Sequence, residues 1–159
     1  YPLESKVPQI GFYCNNANSA ISRQCWRRYG FNEDLTGLED MELGKRLAGD
    51  GGRIGYIAEA CVFHHHNESW SAIRRRFERE AIALQKIMPQ VHITILDVIR
   101  YSMVAIYTDL RGLGIRVFSL KTVINIFLYR YNQYIGCYMG NHLHRSISKI
   151  EKDKYFYPK

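Results

Sequence analysis

The alternation of apolar and polar positions predicts short elements up to residue 66 and long helices after it. Gln9 to Cys14 reads as a short strand, followed by a polar loop from Asn15 to Ser19. Ser22 can cap a short helix through Trp26 to Tyr29, which Gly30 stops. Thr36 to Leu47 predicts a second helix, with Met41, Leu43, Leu47 and Ala48 on its apolar face and Gly49 to Gly52 at its end. Arg53 to Ile57 and Ala60 to Phe63 read as two extended segments leading into His64, His65 and His66. Trp70, Ile73, Phe77, Ala81 and Leu84 recur at steps of three and four, so they predict an amphipathic helix that Pro89 ends. Ile93 to Leu110 and Val117 to Tyr138 are apolar and helical in pattern, and the last stretch, from His144, is polar and basic.

Candidate chemistry gathers in the second of these helices. Thr36 and Glu39 have capping-box spacing, with Gly37 allowing a tight turn just before the carboxylates Glu39 and Asp40. If Glu39 serves the cap, Asp40 is left to face a cleft as a general base. The competing reading is that both carboxylates only complement the helix dipole. Asn15, Asn16 and Asn18 could hydrogen-bond a polyhydroxylated ligand, or could simply favour a turn. On an extended backbone His64 and His66 point to one side, as ligands of a divalent cation would, or they belong to an exposed polar loop. Arg74, Arg75, Arg76 and Arg79 decorate the amphipathic helix. They make either a solvated face paired in part with Glu78 and Glu80, or a phosphate contact, for which Arg76 and Arg79 are the candidates.

Composition narrows the class. The chain has 159 residues, room for one domain with a core. Its net charge of +7 is uneven. Residues 1–89 hold 12 Lys and Arg against 11 Asp and Glu, while residues 90–159 hold 10 against 4, so the basic character belongs to the C-terminal part. That excess lies among aliphatic and aromatic residues rather than on a polar groove, which argues against nucleic acid as the partner. It suits either a helix on an anionic bilayer surface or a hairpin packed on the core or on a second subunit. Cys14, Cys25, Cys61 and Cys137 include no Cys-x-x-Cys pair, and reduced thiols in the cytoplasm are the default. A zinc module from Cys61, His64 and His66 lacks paired-ligand spacing. No apolar run approaches the roughly 18 residues of a membrane span. The start at Tyr1 rather than Met points to a fragment.

Taken in order, these features resemble the C-terminal part of family-2 glycosyltransferases of the GT-A fold, in particular the bacterial rhamnosyltransferase-like group. The resemblance rests on NNANSAISRQCW from Asn15, YGFNEDL from Tyr29, TGLEDMELGKRL from Thr36, ACVFHHH ending at His66 and RRRFERE from Arg74. The tail, with FLYRYNQYIGCYMG from Phe127 and YFYP from Tyr155, extends it over nearly the whole chain. It implies an α/β fold: a partial GT-A domain over residues 1–89, lacking the N-terminal nucleotide-binding half, then a mostly helical, basic extension over 90–159. It implies inverting transfer from a nucleotide-sugar donor to a saccharide or lipid-linked acceptor, with Asp40 as base and Glu39 orienting the acceptor or holding the turn. Asn15, Asn16 and Asn18 would line the acceptor side, and His64, with His66 second, would hold Mn²⁺ or Mg²⁺. The family's Asp-x-Asp is absent from this sequence. The chain is therefore expected to lack the principal donor site, to be inactive alone, and to expose a sheet edge that favours pairing with another copy. The expected setting is cytoplasmic, peripheral to the inner face of a membrane.

Overall fold

A computed structural model describes residues 3–63, 67–113 and 118–142. The chain divides into two units, residues 1–66 and 67–159, so the break in contacts falls ahead of the amphipathic helix, whereas the sequence reading put a boundary after residue 89.

The first unit holds a short 3₁₀ turn, Asn16–Asn18, and two helices, α1 (Arg23–Tyr29) and α2 (Glu39–Gly49). Ser22 caps α1 by accepting the Cys25 amide, and Gly30 ends it with φ 59°. Arg46 fastens α2 to α1. Its guanidinium donates to the Tyr29 and Gly30 carbonyls at 2.9 and 2.8 Å and to the Glu42 carboxylate at 2.7 and 2.9 Å. A cation at the end of α1 thus satisfies carbonyls that the helix leaves open. At the same end of α2, the C-cap residue Asp50 accepts from the Tyr29 hydroxyl at 2.8 Å and pairs with Arg28 at 3.2 Å. The interior is small: among the described residues Leu35, Thr36 and Leu43 are its buried side chains.

The expected strands do not form, and the α/β assignment is corrected: every regular element among the described residues is helical, and the fold is all-α. Pairing near Gln9–Cys14 and Arg53–Ile57 is limited to one antiparallel bridge, Lys6 with Tyr56, at 2.8 Å in both directions, and one bond from Gln9 N to the Ile54 carbonyl. Pro8 has no amide to continue that ladder, and Gly11 turns the backbone at φ 87° before the apolar run can pair.

The second unit contains α3 (Trp70–Ile87), α4 (Ile95–Gly112) and α5 (Leu120–His142), with α5 packed on both others. Ser69 caps α3 and Met88 closes it just before Pro89. Thr94 and Asp97 form a reciprocal capping box at the start of α4. The threonine hydroxyl and amide hold the Asp97 carboxyl below its ordinary pKa. Gly136 and Gly140, one turn apart on α5, let its backbone approach α3. A Cβ on Gly136 would overlap the Arg74 carbonyl, and one on Gly140 the Glu78 carbonyl, with Ala81 Cβ only 2.8 Å away. Buried Asn141 clamps the α3–α4 connection, accepting from Ile93 N at 2.8 Å and donating to the Val91 carbonyl at 3.1 Å. Arg130 and Asp109 join α5 to α4 through two parallel bonds of 2.6 and 2.7 Å. No helix among the described residues is long and apolar enough to cross a membrane.

Candidate active site at the start of α2

The local chain path at residues 35–40 differs from the capping box expected of Thr36 and Glu39, and that expectation is corrected. The N-cap position falls on Leu38, which is left-handed at φ 56°, ψ 28° and provides no side-chain cap. Glu39 is therefore the first residue of α2, not the third, and cannot reach back as a box requires. Thr36 is buried two residues ahead of the cap. The tight turn also differs in detail: the positive φ sits on Leu38, while Gly37 is not among the glycines with positive φ.

Asp40 takes over the role of satisfying the helix start. Its Oδ1 accepts the Met41 amide at 2.7 Å, and its Oδ2 accepts the Asn16 amide at 2.8 Å. The second bond reaches across from the Asn16–Asn18 turn, so carboxylate and asparagine loop are one structure. Two further contacts hold them in register. Cys14 Sγ donates to the Asp40 carbonyl at 2.7 Å. One turn along α2, Gly44 has no side chain, which admits the Phe12 carbonyl and brings Cys14 Sγ to within 3.1 Å of where a Cβ would stand. Burial, then the nearby Asp40 charge, push the Cys14 thiol up to about 11, so it stays protonated and can donate.

Of the three asparagines, Asn16 reaches this carboxylate through its backbone amide, and each makes a structural hydrogen bond with its side chain. Asn15 Oδ1 accepts from Ala17 N at 2.9 Å, Asn16 Oδ1 from the Ser19 hydroxyl at 3.1 Å, and Asn18 Nδ2 donates to the Ala60 carbonyl at 2.5 Å. All three are exposed, so their remaining amide groups face solvent, where a hydroxylated ligand could meet them. Glu39 is half-buried at the first position of α2. Glu39, Asp40 and Glu42 put three acids in the first turn of α2, where the helix dipole favours them.

The other candidate residues are placed differently. His64 and His66 lie outside the described residues. Among the described residues no three His, Cys, Asp or Glu side chains are grouped to hold a metal ion. Arg76 and Arg79 belong to α3 in the second unit. Arg76 is engaged by Glu68 at 2.9 Å and lies 4.6 Å from the Phe77 ring centre. Burial pulls its pKa down, but bonds to Glu68 and Tyr129, with the charges of Glu68 and Glu80, together outweigh it and keep the pKa above the ordinary value. A phosphate would therefore have to compete with Glu68 for that guanidinium. Arg79 is half-buried on the same helix.

Two residues of the site, Cys14 and Gly44, carried no functional weight in the sequence. Gly44 had a legible signal: a glycine inside an otherwise apolar helix face, four residues after Asp40, marks a close backbone approach. Cys14 had none, because nothing in the sequence pairs it with Asp40. No family model, no curated protein and no solved structure matches the chain.

Proposed function

We propose that the chain is the acceptor-side part of an inverting glycosyltransferase in which Asp40 is the general base. The observation that supports this reading is the Asp40 carboxylate itself, fixed by the amides of Met41 and Asn16 at 2.7 and 2.8 Å against an exposed turn carrying three asparagines. Each oxygen accepts one of these amides and has a further lone pair for an acceptor hydroxyl. In the reaction, that hydroxyl gives its proton to Asp40 as its oxygen bonds to the anomeric carbon. The bond from that carbon to the nucleoside diphosphate breaks on the opposite face, which inverts the configuration. Glu39 and the asparagines orient the acceptor, a saccharide or lipid-linked saccharide. The donor is held mainly by residues outside this chain. A divalent cation belongs to this reading only through His64 and His66, and no step above depends on it.

Titrating the isotope-labelled chain with saccharide acceptors tests the acceptor side. The amide signals of Asn16 and Asp40 should shift together, in wild type and in Asp40→Asn alike. Shifts confined to the second unit, or none with any saccharide, would oppose the reading. A non-catalytic binding module is the second reading, favoured by the apolar surface of α4 and α5 described next. Sugar transfer that requires Asp40 separates the two.

A further inference from the structure

The second unit leaves much of its apolar surface in water. On α4, Leu96, Ile99, Met103 and Tyr107 recur at steps of three and four, so they form one outward stripe; Leu96 is 72% exposed and Met103 66%. On α5, Leu120, Ile124, Phe127 and Tyr131 form a second stripe with the same spacing, and all four are exposed. Isolated exposed apolar side chains are ordinary. Two stripes at helical spacing, on helices already packed through other faces, mark a docking surface.

The charges around these stripes select the occupant. α5 contains no Asp or Glu. The two acids of α4 are both engaged, Asp97 in the capping box and Asp109 with Arg130. Arg100, Arg111 and Lys121 are exposed beside the apolar side chains, and their long stems allow the charged heads to rise to a headgroup layer. Tyr107 and Tyr131 carry a polar hydroxyl on an apolar ring, a chemistry that favours the boundary between acyl chains and water. No described helix can cross a bilayer. Apolar stripes with cations and aromatic rings among them, and no available acid, fit the surface of an anionic membrane better than a second protein surface.

We propose that α4 and α5 dock this chain onto the surface of an anionic lipid bilayer, the apolar stripes entering the acyl boundary and Arg100, Arg111 and Lys121 meeting lipid phosphates. This inference stands apart from the transferase reading and does not require it. It also extends the localisation expected from composition, because it names the face and the side chains.

Flotation of the full chain with lipid vesicles tests it. The chain should float with phosphatidylcholine vesicles containing about one-third phosphatidylglycerol, and bind pure phosphatidylcholine on the order of tenfold more weakly. Arg100→Gln with Arg111→Gln should weaken anionic binding by on the order of tenfold, with added salt producing a partial loss of the same sign. Met103→Glu with Phe127→Glu should abolish flotation while the circular dichroism spectrum stays that of the wild type. The proposal is overturned if the wild-type chain stays at the bottom of the gradient with both vesicle types, or if the folded glutamate variant floats like the wild type. It is equally overturned if the wild type ignores vesicles and sediments as a dimer that the glutamate variant dissociates. If the glutamate variant does not fold, the arginine variant alone decides, since its side chains lie at the surface.

Discussion

The backbone amide of Asn16 donates to the carboxylate of Asp40 at 2.8 Å, joining a polar turn to the start of a helix that follows it by more than twenty residues. This bond depends on the acceptor oxygen rather than on its charge. Asp40→Asn should keep it, through the amide oxygen, while Asp40→Ala should lose it. Hydrogen exchange at Asn16 reads the difference: slow in wild type and Asp40→Asn, faster in Asp40→Ala. Equal exchange in all three would mean that the turn is held by other contacts.

The approach of the Phe12 carbonyl to Gly44 sets the depth of that joint. Gly44→Ala should therefore destabilise the first unit by about 1–3 kcal/mol through overpacking. Gly49→Ala serves as its control, because nothing lies within 4 Å of a Cβ there. It should be neutral or stabilising by up to about 1 kcal/mol, the helix-propensity gain over glycine. Urea denaturation of both variants checks the pair, and similar midpoints would remove the close approach from the account.

Much of the helical plan was legible in the sequence, and the reasons are local. Ser22 and Gly30 punctuate α1, and the three-and-four spacing from Trp70 to Leu84 with Pro89 beyond it defines α3. Both signals act within a few residues, so no tertiary knowledge was needed. The predicted strands failed because a strand is defined by a partner. Gln9–Cys14 and Arg53–Ile57 have apolar residues enough, but Pro8 and Gly11 interrupt the pairing beyond Lys6 and Tyr56. The capping-box pattern Thr-x-x-acid occurs at both Thr36 and Thr94, and only the second becomes a cap, because Leu38 takes the cap position in α2. At the candidate site, Asp40 and the asparagine turn are both legible in the sequence, and the Asn16 amide joins them. Their connection through Cys14 and Gly44 is a long-range contact that no spacing rule contains.

Cys137 gives the second unit a pH response. Burial, and then the nearby Glu80 charge, push its thiol up to about 11 from its ordinary value of 9.0. In the unfolded chain the thiol ionises first, so above pH 9 the unfolded state binds fewer protons than the folded state and stability falls as pH rises. The contribution is complete below pH 9 and is lost by about pH 11, on the order of 2 kcal/mol. Cys137→Ala should flatten the decline in urea stability between those limits. An unchanged slope in the variant would assign the pH response to other groups.

The paired bonds between Arg130 and Asp109 tie α5 to α4 with both side chains more than two-thirds buried. A double-mutant cycle with Asp109→Ala and Arg130→Met should give a coupling energy on the order of 1–3 kcal/mol, the range for charge-assisted hydrogen bonds. A coupling near zero would place the packing of the two helices entirely on their apolar contacts.

The central proposal is that Asp40 removes the acceptor proton, and turnover in a sugar-transfer assay tests it most directly. Asp40→Asn should lower kcat by about two to four orders of magnitude, with the affinity for the nucleotide-sugar donor kept. A folded Asp40→Asn enzyme that transfers sugar at close to the wild-type rate would contradict it.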